Sequence, residues 1–278
     1  MAGRLQGKVA IITGASRGLG EYCAVGYARE GAIVVVAART EQETDPKLPG
    51  TIYHTAKLVD EAGGESFPVV CNVGDNASVE AMVKKVLDKY GRIDIMMNNA
   101  AVQPPGNNST IQIRHWELEF RVNVHGTFYG CRAVLPTMIE QKGGSIINIS
   151  SVGALGGSHY GATKRAIEAL AQGLANEHRD NGIAVNTLKP VGGIATPGLL
   201  YPRAPGQVGG PRPSGEQLPP PDSYVEAAVL LALQTPATFT GQVCSDAEVI
   251  ARLADAATQQ HLRGINPPGW AEAMSVRG

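Results

Sequence analysis

Val9-Ala10-Ile11-Ile12-Thr13-Gly14-Ala15-Ser16-Arg17-Gly18-Leu19-Gly20 decides the reading of this chain. A short apolar run turns on a glycine and passes, through two further glycines, into a segment of helical period. Gly14 permits the sharp turn, Gly18 lets backbone approach a pyrophosphate, and Gly20 lets the helix pack closely on the strand. A pyrophosphate lying here meets the unpaired N–H groups of a helix N-terminus. Any tight strand-to-helix turn can use glycines. The strand before, the helix after and the spacing together predict a dinucleotide cradle contacted by Gly14, Ser16, Arg17, Gly18 and Leu19.

Outward from this turn, short apolar runs alternate with longer segments of helical period. Strands are predicted at Val9–Thr13, Ile33–Ala38, Ser66–Cys71, Ile93–Met97, Ser145–Ser150, Ile183–Leu188 and Gln242–Cys244. Most are apolar on both faces, as in a buried parallel sheet. Helices are predicted near Gly18–Glu30, Thr51–Ala62, Ala77–Tyr90, His115–Met138, Ser158–Asn181 and Ser223–Leu233. The alternation predicts a doubly wound α/β Rossmann fold, a seven-stranded parallel sheet flanked by helices, with residues 1–278 as a single domain. Two stretches interrupt it: an insert over 40–50, and 197–222, dense in Pro and Gly, which is either a disordered excursion or, the reading favoured in an enzyme, a substrate lid. A C-terminal tail follows over 251–278.

The chain has 278 residues, 43% hydrophobic and 18% charged, with formal net charge −1. This composition excludes a disordered chain, and roughly three quarters of the unfolded surface is buried at this size. Near-neutral charge gives no field for gathering nucleic acid or an anionic membrane surface. No apolar run approaches the ~18 residues of a membrane helix, and Met1–Val9 contains no apolar leader. Cys23, Cys71, Cys131 and Cys244 stand apart in apolar stretches. They are expected as buried thiols in a reducing cytoplasm, with no metal site.

The second strand ends Ala37-Ala38-Arg39, where an acid would hydrogen-bond the ribose of NAD. Arg39 and Arg17 could instead clamp a 2′-phosphate, which predicts NADP(H) rather than NAD(H); two solvated surface arginines are the competing reading. Further on, Tyr160 and Lys164 stand one helical turn apart on one face. A phenol ordinarily titrates near 10, and a neighbouring ammonium lowers that value towards working pH.

The chain resembles the short-chain dehydrogenase/reductase family, and less specifically its hydroxysteroid dehydrogenase-like branch. The resemblance is carried by Thr13 to Gly20, Asn98-Asn99-Ala100, Asn123-Val124-His125-Gly126, Ile147-Asn148-Ile149-Ser150-Ser151 and the Tyr160 to Lys164 motif. It implies hydride transfer between a nicotinamide and a carbonyl or alcohol substrate. Tyr160 would be the general acid or base, Lys164 would lower its pKa and bind the nicotinamide ribose, Ser151 would orient the carbonyl oxygen, and Asn123 would hold a water in a proton relay. Asn72 and Val73 would meet the adenine, Asn99 and Ala100 the adenosine ribose, and Ile194 and Thr196 the carboxamide. The resemblance also implies a homo-oligomer, tetramer or dimer.

The chain departs from the family pattern in a short run from Ser151 to Tyr160, in Ala101 and Asn72, and in a longer Pro190–Thr196 turn. Leu199, Leu200, Tyr201, Leu155 and Val102 are expected to form an apolar substrate pocket. His159 adjoins Tyr160, but neighbouring helical positions point about 100° apart, so it is expected behind the site or at the surface; His125 is read the same way. His54 and His178 are expected to be solvated. Two other classes compete: a non-catalytic NADP(H)-binding redox-sensing regulator, and a Rossmann-like methyltransferase. Tyr160, Lys164 and Asn123 argue against the first. Arg39, standing where a methyltransferase needs an acid, argues against the second.

Overall fold

The computed structural model describes residues 2–200 and 218–274. Seven parallel strands form one sheet: β1 (Val9–Thr13), β2 (Ile33–Ala38), β3 (Glu65–Val70), β4 (Ile95–Asn98), β5 (Gly144–Ile149), β6 (Ile183–Lys189) and β7 (Val243–Ser245). Their order is β3-β2-β1-β4-β5-β6-β7. The order reverses between β1 and β4, and a parallel sheet opens a crevice at the carboxyl ends of its strands at such a point.

Alternation along each strand divides the core between the two faces. Ala10 and Ile12 of β1 and Val34 and Val36 of β2 face one layer with Cys23, Tyr27, Tyr224 and Ile250. Val9, Ile11, Val35 and Ala37 face the other, with Val83, Val134 and Ala171. The first layer contains α1 (Gly18–Arg29), α2 (Ile52–Glu61), α8 (Asp222–Ala232), α9 (Asp246–Leu253), α10 (Ala256–Ile265) and α11 (Pro268–Ala273). The second contains α3 (Asn76–Tyr90), α5 (Gly126–Gln141) and α6 (His159–Glu177). Pro68, which cannot donate to a ladder, falls on the edge strand β3, where it is tolerated.

Departures from the predicted elements are local. One long helix was expected over His115–Met138; the chain instead forms α4 (Ile113–Phe120), a π-helical turn over Arg121–His125, and then α5. The described part of the C-terminal tail, 251–274, is mostly helical, in the end of α9 and in α10 and α11. The expected lid begins with α7 (Pro197–Leu200) and ends where α8 starts; its middle, 201–217, lies outside the described residues. All four cysteines are free and buried, and burial pushes the thiols of Cys23 and Cys131 up to about 12. Among the described residues no His, Cys, Asp or Glu grouping could hold a metal ion, and no helix is long and apolar enough to cross a membrane.

Candidate active site

A cleft of about 1100 Å³ lies over the carboxyl ends of β1, β4 and β5. The turn between β1 and α1 forms one end. Gly14 and Gly18 both have φ of 65°, and a Cβ on Gly14 would stand 2.7 Å from the Ala100 Cα, so only glycine lets the two turns close on each other. Thr13 braces them: its hydroxyl accepts from the N–H groups of Asn99 (3.1 Å) and Ala100 (3.2 Å). The Asn99 amide donates to the Thr13 carbonyl at 2.8 Å. No side chain caps α1 at Arg17, so its first N–H groups open on the cleft beside Ser16, Gly18 and Leu19. Unpaired donors at the positive end of a helix suit an anionic pyrophosphate.

The two arginines differ. Arg17 donates through Nε to the Pro49 carbonyl (3.0 Å) and through a terminal nitrogen to that of Gly50 (2.9 Å), holding the 40–50 insert against the glycine turn. Arg39 is exposed at the cleft mouth and bonds to no described residue, so its guanidinium is the one available to a phosphate. Asn72, Val73, Ile194 and Thr196 also line the cleft.

At the other end stand Ser151, Tyr160 and Lys164. Successive residues leaving β5 point oppositely: the Ser150 hydroxyl donates to buried Glu168 at 2.7 Å, whereas Ser151 turns to the cleft. Gly153 brings the Ser151 hydroxyl and the Tyr160 ring together, since a Cβ there would lie 3.3 Å from the one and 3.7 Å from the other. Ser158 caps α6, its oxygen accepting from the Gly161 N–H at 3.0 Å. Lys164 is buried, donates to the Ile149 carbonyl at 2.7 Å, and lies 5.4 Å from the centre of the Tyr160 ring. Burial lowers its pKa from 10.5 to about 8, against the opposing pull of the Glu119 and Glu168 carboxylates.

Residues 8–200 match the family model described as short chain dehydrogenase. The chain belongs to the short-chain dehydrogenase family. It is 35% identical over 256 residues to hydroxysteroid dehydrogenase-like protein 2 of Xenopus tropicalis, covering 89% of this chain and 58% of that protein. It therefore spans little more than half the length of that relative. It is 34% identical over 198 residues to a 3-oxoacyl-acyl-carrier-protein reductase of Thermotoga maritima, covering 70% of this chain and 77% of that one. Among solved structures, a Xanthomonas campestris protein described as a dehydrogenase superposes with TM-score 0.78 at 30% identity, covering 94% and 93% of the two chains. A metagenomic short-chain oxidoreductase in complex with NADP superposes with TM-score 0.70 at 28% identity, covering 87% and 97%.

Within this short-chain dehydrogenase the structure sharpens three expectations. The Asn123 side chain, on the π turn, makes three hydrogen bonds: its amide donates to the Val102 carbonyl (2.9 Å) and the Thr163 hydroxyl (3.1 Å), and its oxygen accepts from the Val102 N–H (2.8 Å). It holds the segment after β4 in place with both of its donors, so a water held at Asn123 would have to donate to one of its oxygens. Leu155 and Leu200 are 70% and 61% exposed and do not line the cleft, and Tyr201 lies outside the described residues. Val102 and Leu199 do line it, as expected, and are joined there by Gln103, Pro104, Pro105 and Gly106. The sequence reading named only Val102 of that segment, because it has no periodicity to mark it. Third, His159 takes the first of its two expected places, behind the site rather than at the surface: it is 2% exposed and bonded to Glu119. His125 and His54 are exposed, as expected, and His178 is half-buried.

A further residue went unnoticed. Asp246, buried at the start of α9, accepts from the Val191 N–H (2.7 Å) and the Trp270 indole N–H (2.9 Å). It ties the Pro190–Thr196 turn to the C-terminal helix. An aspartate opening a helix reads as an ordinary first-turn acid, so the sequence carried no signal of this longer reach.

Proposed function

We propose that this short-chain dehydrogenase transfers a hydride between NADP(H) and a carbonyl or alcohol group on a small or hydrophobic molecule. The observation that carries the reading is the convergence of Ser151, Tyr160 and Lys164 on the cleft that also receives the open N-terminus of α1. The bound nicotinamide supplies or accepts the hydride. The Tyr160 hydroxyl gives its proton to the carbonyl oxygen in reduction and takes it back in oxidation, while the Ser151 hydroxyl orients that oxygen. Lys164, held by the Ile149 carbonyl, favours the phenolate through its charge.

NADP(H) is favoured over NAD(H) because Ala38 offers no acid and Arg39 stands uncommitted. NADP in the metagenomic relative is a further support. The apolar wall of Val102, Pro104, Pro105 and Leu199 favours uncharged substrates. A homo-oligomer is supported by Ile113, Trp116 and Leu118 on α4 and Phe128 on α5, large apolar side chains left exposed. Calorimetry on the unmodified protein tests the cofactor half: one charge-assisted contact should make NADP bind at least about tenfold tighter than NAD, and equal affinities would refute it. A screen of aldehydes, ketones and alcohols tests the chemistry. Tight NADP binding without turnover across the panel would point to a sensor instead.

A further inference from the structure

Segment 101–112, between β4 and α4, supplies the substrate-side wall and has no regular structure of its own. Three side chains hold it. Asn123 fixes Val102 as described above. The Asn108 amide donates to the Gly157 carbonyl at 2.7 Å. Between them, the Gly106 carbonyl meets His159 Nε2 at 3.1 Å. Gly106 must be glycine: its φ is 127°, and a Cβ would stand 2.8 Å from the Ile111 Cα. The segment thus folds back on itself where His159 receives it.

A carbonyl only accepts, so Nε2 carries a hydrogen and donates. That leaves one proton to be shared along the 2.6 Å line between Nδ1 and Glu119 Oε2. The other Glu119 oxygen is buried with no partner among the described residues. Burial raises the Glu119 pKa, opposed by its bond to His159 and by the Lys164 charge. Both side chains are almost wholly inaccessible, at 2% for His159 and 0% for Glu119. His159 immediately precedes Tyr160, so the wall is referenced to the same helical turn as the reacting hydroxyl.

We propose that Glu119 and His159 form a buried positioning pair that fixes segment 102–112 against the first turn of α6, setting which substrates fit beside Tyr160. This rests on the reading of the cleft as a carbonyl and alcohol site. Glu119 orients the imidazole, and the imidazole holds the wall through Gly106; neither touches the reacting atoms. The occupant's size and shape therefore depend on a pair that chemistry at the carbonyl does not use.

Three variants test it: His159→Phe, which keeps the ring and removes both bonds; His159→Gln, whose amide can still reach Gly106; and Glu119→Gln, whose amide can donate to Nδ1 of neutral His159. Hydrogen exchange over 103–112 needs no substrate. It should quicken by about tenfold in His159→Phe, the loss of one to two buried hydrogen bonds, and stay near wild type in Glu119→Gln. NADPH binding reports that each variant is folded and should be unchanged. With hexanal and phenanthrenequinone as probes, His159→Phe should raise KM by about five- to tenfold with kcat within about twofold. Unaltered exchange in His159→Phe overturns the proposal. So does Glu119→Gln abolishing turnover with the segment still protected, since the pair would then be storing a proton. If His159→Phe fails to fold, His159→Gln decides: a protected wall supports the proposal, and a wall released despite the retained amide overturns it. Failure of wild type to turn over either probe would count against the proposed function alone, because exchange still decides the pair.

Discussion

Lys164 is buried within the candidate active site, and its titration gives a signed prediction. Its pKa of about 8 lies below the 10.5 of an exposed lysine because burial penalises the ammonium more than Glu119 and Glu168 favour it. The folded chain therefore binds fewer protons here than the unfolded one between those values. The destabilising cost is full below about 8 and relieved as pH rises to 10.5. In catalysis the sign is opposite: as pH passes about 8, the charge that acidifies Tyr160 is lost. The kcat/KM of carbonyl reduction should fall through that pH, and in Lys164→Met the slower remaining activity should fall nearer 10, an unassisted phenol's value. A profile unchanged by the substitution would remove Lys164 from this role. Ser151 and Ser158 give a paired test. Ser151→Ala should cut turnover about 10²- to 10³-fold with NADP binding intact, while Ser158→Ala should cost ~1 kcal/mol of stability and little rate. The reverse ranking would move the carbonyl-orienting hydroxyl. Arg39→Asp should reverse the cofactor preference in calorimetry; an unchanged order would mean that other groups read the 2′-phosphate.

At the scale of elements, the inner strands were legible because each is a short apolar run with a glycine or a charge at its end: β1 and β2 fall at Val9–Thr13 and Ile33–Ala38, as predicted. The break in the Ile113–Gln141 helix was not. Arg121 and His125, at its ends, keep helical dihedrals, the composition is ordinary for a helix, and the π turn carries Asn123, whose partners Val102 and Thr163 are tertiary. The sequence left His159 either behind the site or at the surface for a related reason. Periodicity says that it points away from Tyr160 but not that Glu119, 40 residues earlier, will be there. Where the tail helices dock was not legible because their partners are tertiary. Asp246 makes this measurable, since its two oxygens accept from Val191 and Trp270. Asp246→Asn must turn an amide N–H towards one of those donors, so it should lower stability by about 1–3 kcal/mol in chemical denaturation. Trp270→Phe, leaving the Val191 bond, should cost less. Equal costs would mean that Asp246 does not link the two.

For the whole molecule, the sheet reversal at β1 and β4 makes the cleft, the α1 terminus supplies donors to one end, and α6 supplies Tyr160 and Lys164 to the other. Exposed Ile113, Trp116, Leu118 and Phe128 lie outside that cleft or at its rim. Phe128→Asp should shift sedimentation towards a smaller species if α5 is an interface between copies; an unchanged mass would place the interface elsewhere. The most direct measurement of the central claim is reduced-nicotinamide consumption across an aldehyde and ketone panel, by wild type and by Tyr160→Phe matched for NADPH affinity. Wild type should turn over with NADPH in preference to NADH, and Tyr160→Phe should lose at least about 10², the low end of a general acid's contribution. Turnover preserved in Tyr160→Phe, or no turnover by wild type despite tight NADPH binding, would contradict it.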